Sequence, residues 1–94
     1  MIWLEIISCR SVDSKKRKAA KKILEDLREK RVLTAKTEVT LCHHAVLNSD
    51  LALIINHNDA CIESRGSEVG KLVATILEEY GLVSHSVWIE ESLV

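Results

Sequence analysis

Ser49-Asp50-Leu51-Ala52-Leu53-Ile54-Ile55-Asn56-His57-Asn58-Asp59 decides how this chain folds. Its apolar centre lies between two turn-forming clusters, Asn48-Ser49-Asp50 and Asn58-Asp59, and is too short for a helix. Such a run between turn signals predicts a buried strand. Successive side chains of a strand point to opposite faces. Leu51, Leu53 and Ile55 therefore lie on one side and Ala52 and Ile54 on the other. Both sides of this strand need cover.

Working outward, Met1 to Cys9 alternates Ile2, Leu4, Ile6 against Trp3, Glu5, Ile7, Cys9 and predicts another strand that is apolar on both faces. Ser11, Asp13 and Ser14 are candidate N-caps for a helix from Lys15 to Arg31. Its apolar stripe is Ala20, Ile23, Leu24 and Leu27. Ala35 to His43 reads as an edge strand, with Lys36, Glu38 and Thr40 on one face. After the central strand, Asp59 to Gly66 reads as a loop and Ser67 as the cap of a second helix. That helix carries Val69, Leu72, Val73, Ile76, Leu77 and Tyr80 on one stripe, with Gly81 as its left-handed C-terminal cap. Val87, Trp88 and Ile89 centre a fourth strand.

The order strand, helix, strand, strand, helix, strand predicts an α+β ferredoxin-like βαββαβ sandwich over residues 1–94, with antiparallel sheet order 4-1-3-2 and both helices on one face. Strands one and three are central in that topology and are the two with doubly apolar faces. The other sheet face is left bare, and an apolar patch of that extent marks an interface. The expectation is a homodimer packed sheet to sheet, or a ligand laid on that face.

Composition narrows the function classes. Ninety-four residues, nearly half of them hydrophobic, suffice for one core. A net charge of -1 argues against nucleic-acid binding through bulk charge. No apolar run is long enough to span a bilayer, and Met1-Ile2-Trp3-Leu4-Glu5 lacks the basic start of a signal peptide. Cys9, Cys42 and Cys61, odd in number and far apart, fit a reducing cytoplasm better than a disulfide framework.

The strand-helix order, the bare apolar sheet face and Asp50-Leu51-Ala52-Leu53-Ile54-Ile55 together resemble the dimeric α+β barrel superfamily, including the stress-responsive A/B barrel and antibiotic-biosynthesis-monooxygenase-like proteins. The resemblance implies two ferredoxin-like subunits whose sheets close into a barrel, often around a pocket. Its members range from cofactor-free oxygenases and haem-degrading enzymes to proteins of no known activity. The His-containing segment that often follows strand three in the stress-responsive group is replaced here by Cys61-Ile62-Glu63-Ser64-Arg65-Gly66, so no catalytic residue is carried over.

The candidate ligand pocket on the bare face combines Trp3, Glu5, Ile7 and Cys9 with Cys42, His44, Ile54, Asn56 and Trp88. Apolar walls with a few polar groups are the usual composition of a small-molecule site. Glu5 or His44 would act as general base and Asn56 as a donor to a developing oxyanion. The competing reading makes these residues a plain homodimer core. Cys42-His43-His44, His57 and Cys61 lack the short paired spacing of structural zinc sites, so neither metal nor cofactor is expected. Lys15, Lys16, Arg17 and Lys18 stand where a helix prefers acids and are candidates for holding an anion. RNA binding through that helix is disfavoured, because RNA-binding sheets of this kind display exposed aromatics in set motifs, and here Phe is absent and only Trp3 and Trp88 are candidates. Gly66-Ser67-Glu68-Val69-Gly70 has helix-opening amides without the lysine of a phosphate loop, and ordinary capping explains it. The leading expectation is a small dimeric barrel protein that binds an apolar or aromatic molecule. The alternatives are a non-catalytic interaction module and an anion or RNA binder.

Overall fold

The computed structural model describes residues 2–29, 37–58 and 61–92. Six elements follow one another: β1 (Ile2–Ser11), α1 (Ser14–Glu29), β2 (Thr37–His43), β3 (Asp50–Asn58), α2 (Glu68–Leu77) and β4 (Gly81–Ile89). The expected end of the first helix at Arg31, the expected start of the second strand at Ala35 and the loop start at Asp59 lie outside the described residues. The four strands form one open antiparallel sheet in the order β2-β3-β1-β4. Counted from the β4 edge, the neighbours run 4-1-3-2.

Register decides which side chains share a face. Ile6 lies opposite Ile54, Ile7 opposite Leu53 and Cys9 opposite Leu51. Directly opposed residues point the same way. Ile7 and Cys9 therefore join Leu51, Leu53 and Ile55, and both helices cover this face with Ala20 and Leu24 from α1 and Val73 and Leu77 from α2. Trp3, Glu5, Ile7 and Cys9 were expected on the bare face; they lie on the covered one, each at most 1% exposed. Both sets of β1 side chains are rich in apolar residues, so alternation alone does not choose between them. A one-residue shift against β3 inverts the whole strand.

The bare face holds Leu4, Ile6 and Ser8 of β1, Ala52, Ile54 and Asn56 of β3, Thr40 and Cys42 of β2, and Ser84, Ser86 and Trp88 of β4.

Local chemistry sets the element ends. Asp13 caps α1, its Oδ1 accepting from the Lys16 amide at 2.7 Å. The α2 helix stops at Glu78, a right-handed C-cap whose amide donates to the Thr75 carbonyl. Gly81 is thus no helix cap. It opens β4, where a Cβ would run into the Arg10 carbonyl oxygen of the neighbouring strand. The fourth strand starts earlier than expected because β1 offers partners along its length, from Ser11 opposite Gly81 to Trp3 opposite Ile89.

Leu53 is 2% exposed in the middle of this core. Leu53→Ala is expected to lower stability by about 2–5 kcal/mol through lost burial and a residual cavity, read from urea denaturation at unchanged m-value.

Candidate functional site

A charged residue in the covered face of a central strand must find partners or lose its charge. Glu5 is 0% exposed and meets four donors from three other segments. Ser67 caps α2 and donates twice, its amide to Oε1 at 2.9 Å and its hydroxyl to Oε2 at 2.6 Å. The same Ser67 Oγ accepts from the Gly70 amide at 3.0 Å. From β3, His57 Nε2 donates to Oε2 at 2.5 Å. From β4, His85 Nε2 donates to Oε1 at 2.8 Å. The Trp3 ring stacks on His57 with centroids 3.9 Å apart and planes 12° from parallel, fixing the imidazole in place.

Two glycines make room for this carboxylate. Gly66 has φ 98°, in the left-handed region, and a Cβ there would meet the His85 ring. A Cβ on Gly70 would collide with Glu5 Oε1. Close approach to Glu5 therefore accounts for a glycine early in a helix.

Burial pushes the Glu5 carboxyl up, but hydrogen bonds from the Ser67 hydroxyl, His57, His85 and the Ser67 amide together hold it below its ordinary value. The helix N-terminus beside it also favours the anion. Both oxygens already accept two hydrogen bonds each, and no water reaches them. Glu5 is therefore a structural anion rather than the general base expected on an open face. Cys9 is likewise a core thiol, donating to the Leu77 carbonyl at 3.7 Å, with burial raising its pKa.

The remaining candidates separate. Cys42, Ile54, Asn56 and Trp88 share the bare face. Trp88 is 57% exposed, and its indole donates to Ser86 Oγ at 2.9 Å. His44 lies beyond β2 in an exposed turn. Its Nδ1 accepts from the Val46 and Leu47 amides at 3.0 and 2.9 Å, which makes it a turn-former rather than a base on the sheet. Lys15, Lys16 and Lys18 are exposed on the first turns of α1, while Arg17 is half-buried. Among the described residues no three His, Cys, Asp or Glu side chains are placed to hold a metal ion. The two imidazoles at Glu5 are directed at different carboxylate oxygens.

His57, His85 and Ser67 are the partners that pattern reading missed. The signal was Glu5 itself, an acid inside an apolar central strand, which requires donors on the same face. Comparison with family models, with curated proteins and with solved structures finds no match for this chain.

Glu5→Gln removes the charge while keeping the shape, and is expected to cost about 2–4 kcal/mol in denaturant titration at neutral pH. Because the folded pKa is depressed, the wild-type advantage is present above the ordinary glutamate pKa of about 4.3 and is lost as the pH falls through the folded value. The Gln variant should lack that acid limb of the stability curve. Gly70→Ala tests the cradle separately. Helix propensity alone favours alanine by about 1 kcal/mol, yet the variant is expected to melt below wild type.

Proposed function

We propose that the chain is a ferredoxin-like subunit of a homodimer, packed sheet to sheet as in a dimeric α+β barrel and holding a small apolar or aromatic molecule between the sheets. The observation that carries this reading is the uncovered row Leu4, Ile6, Ile54 and Trp88 on the bare face. Both helices of the chain are committed to the opposite face. Covering this row removes apolar area from water, worth about 25 cal/mol per Å².

The chemistry of the face favours a second copy as its partner. Its centre is uncharged, with Ser8, Ser84 and Ser86 hydroxyls flanking the apolar row. Arg10 and Asp50 stand at one end and neutralise each other at 3.1 Å. A surface with an apolar centre and hydroxyl flanks complements a copy of itself. A hollow of about 190 Å³, lined by Ser8, Arg10, Asp50, Leu82 and Ser84, lies at that end and supports the ligand part of the proposal. With Glu5 buried on the other side, the face offers binding rather than acid–base chemistry. A reducing cytoplasmic setting belongs to the same reading, in keeping with the free thiols of Cys9 and Cys42. Among the described residues no helix is long and apolar enough to cross a membrane.

Light scattering on the wild type and on Ile54→Lys tests the pairing. The wild type is expected at twice the chain mass. The lysine variant is expected to dissociate at least about thirtyfold more readily, the effect of losing a central apolar anchor worth about 2 kcal/mol. A wild-type monomer at high concentration overturns the proposal. Given a dimer, Trp88 emission should shift when an apolar fluorescent probe is added. A dimer that takes up no such probe retains the assembly and loses the ligand.

A further inference from the structure

Among the described residues two buried side-chain polar atoms find no hydrogen-bond partner, Ser11 Oγ and Arg17 Nε. Both residues line one cavity of about 210 Å³, where the end of β1 meets the start of α1. Asp13, Ser14, Asn48 and Ser49 complete its polar wall. Ser11 is 6% exposed. The Ser11 hydroxyl acts on the Cys9 thiol of the same strand face, pulling its pKa down against burial, yet Ser11 Oγ has no partner in hydrogen-bonding geometry. A buried donor left unsatisfied costs about 1–3 kcal/mol, so two of them in one cavity require a reason.

The surroundings indicate what would satisfy them. The guanidinium N–H can only donate, so the missing group is an acceptor. The first turn of α1 contains no acid and carries Lys15, Lys16, Arg17 and Lys18, a run that the helix dipole opposes unless an anion sits with it. Asp13 is the one carboxylate on the cavity wall, and its Oδ1 already accepts from the Lys16 amide. The cavity is smaller than the roughly 300–1,000 Å³ that hold drug-sized ligands.

We propose that this cavity binds a small phosphate-class oxyanion, with Arg17 Nε and the Ser11 hydroxyl as its buried donors and the neighbouring lysines supplying the field. The site stands on the helix-covered side of the sheet and does not depend on the pairing of the bare faces. Its chemistry suits a free phosphate or a terminal phosphate group, not a nucleic-acid strand tracking along the exposed lysines.

The test titrates inorganic phosphate into the full chain at constant ionic strength set with chloride, followed by calorimetry and by backbone amide shifts over residues 14–18. Saturable binding is expected. Arg17→Met should weaken it by about tenfold or more, the loss of one hydrogen bond to a charged group. Lys22→Met, a cation further along the helix, should change it by less than about twofold. Ser11→Ala should weaken binding while leaving the phosphate-free protein at least as stable as wild type, because it removes an orphaned hydroxyl. This second variant decides the matter if Arg17→Met does not fold. Equal responses to phosphate and chloride overturn the proposal. So does an equal loss for Arg17→Met and Lys22→Met, which marks a diffuse basic face of the kind that binds RNA, with affinity falling steeply with salt.

Discussion

Glu5 is the constraint around which the structure is arranged. An ionised carboxylate taken fully out of water costs several kcal/mol unless its lone pairs are met. Here they are met by a helix cap and by histidines from two different strands. Ser67 is shared between two duties, closing the first turn of α2 and holding the carboxylate. The helix cannot shift along the sheet without breaking both. The stacked Trp3 and His57 rings extend the same contact toward the end of the sheet. The glycines at 66 and 70 follow from it, since any side chain at either would occupy space already taken by His85 or Glu5.

Much of the fold was legible because it depends on local chemistry. The apolar periods of β1 and β3 and the Ser67 cap are statements about neighbours in the chain, and they appear where the pattern puts them; the expected α2 stripe is met in part, with Val73 and Leu77 in the core and Leu72 49% exposed. The face of β1 was not legible. Leu4 and Ile6 are as apolar as Ile7 and Cys9, and the choice between the two sets is made by Ile6 lying opposite Ile54, a pairing across 48 residues that no local rule states. The candidate site suffered from the same gap. Glu5, assigned to the bare face, resembled a catalytic base in an apolar pocket. Its actual partners stand on other elements, and only the register brings them together. Gly70 was anomalous in sequence for a reason that lay across the sheet, not within its helix.

The two faces of the sheet therefore differ in composition. The covered face gathers most of its polar groups at Glu5 and packs mainly aliphatic side chains around α1 and α2, with the Ser11 hydroxyl buried at its far end. The bare face keeps its charges at the margins, with Arg10 and Asp50 at one end and Glu38 on the β2 edge, and leaves aliphatic and hydroxyl groups in the middle. A small chain has little interior to divide in this way. One side supplies cohesion and the other is left uncovered, while the α1 terminus with its unsatisfied donors lies at the end of the covered side.

The partners of Glu5 also bear on how the chain reaches its native state. His57, Ser67 and His85 lie 52, 62 and 80 residues from it along the chain. Contacts of such separation are slow to form, because loop closure is costly before any contact compensates for it. A carboxylate cannot shed its water until its replacement donors have arrived, so β3, β4 and the head of α2 must come together on β1 in one late, concerted step. The cluster thus couples the two halves of the chain in time as well as in space. Any partly folded form that lacks one of those segments keeps Glu5 hydrated and the centre of the sheet open.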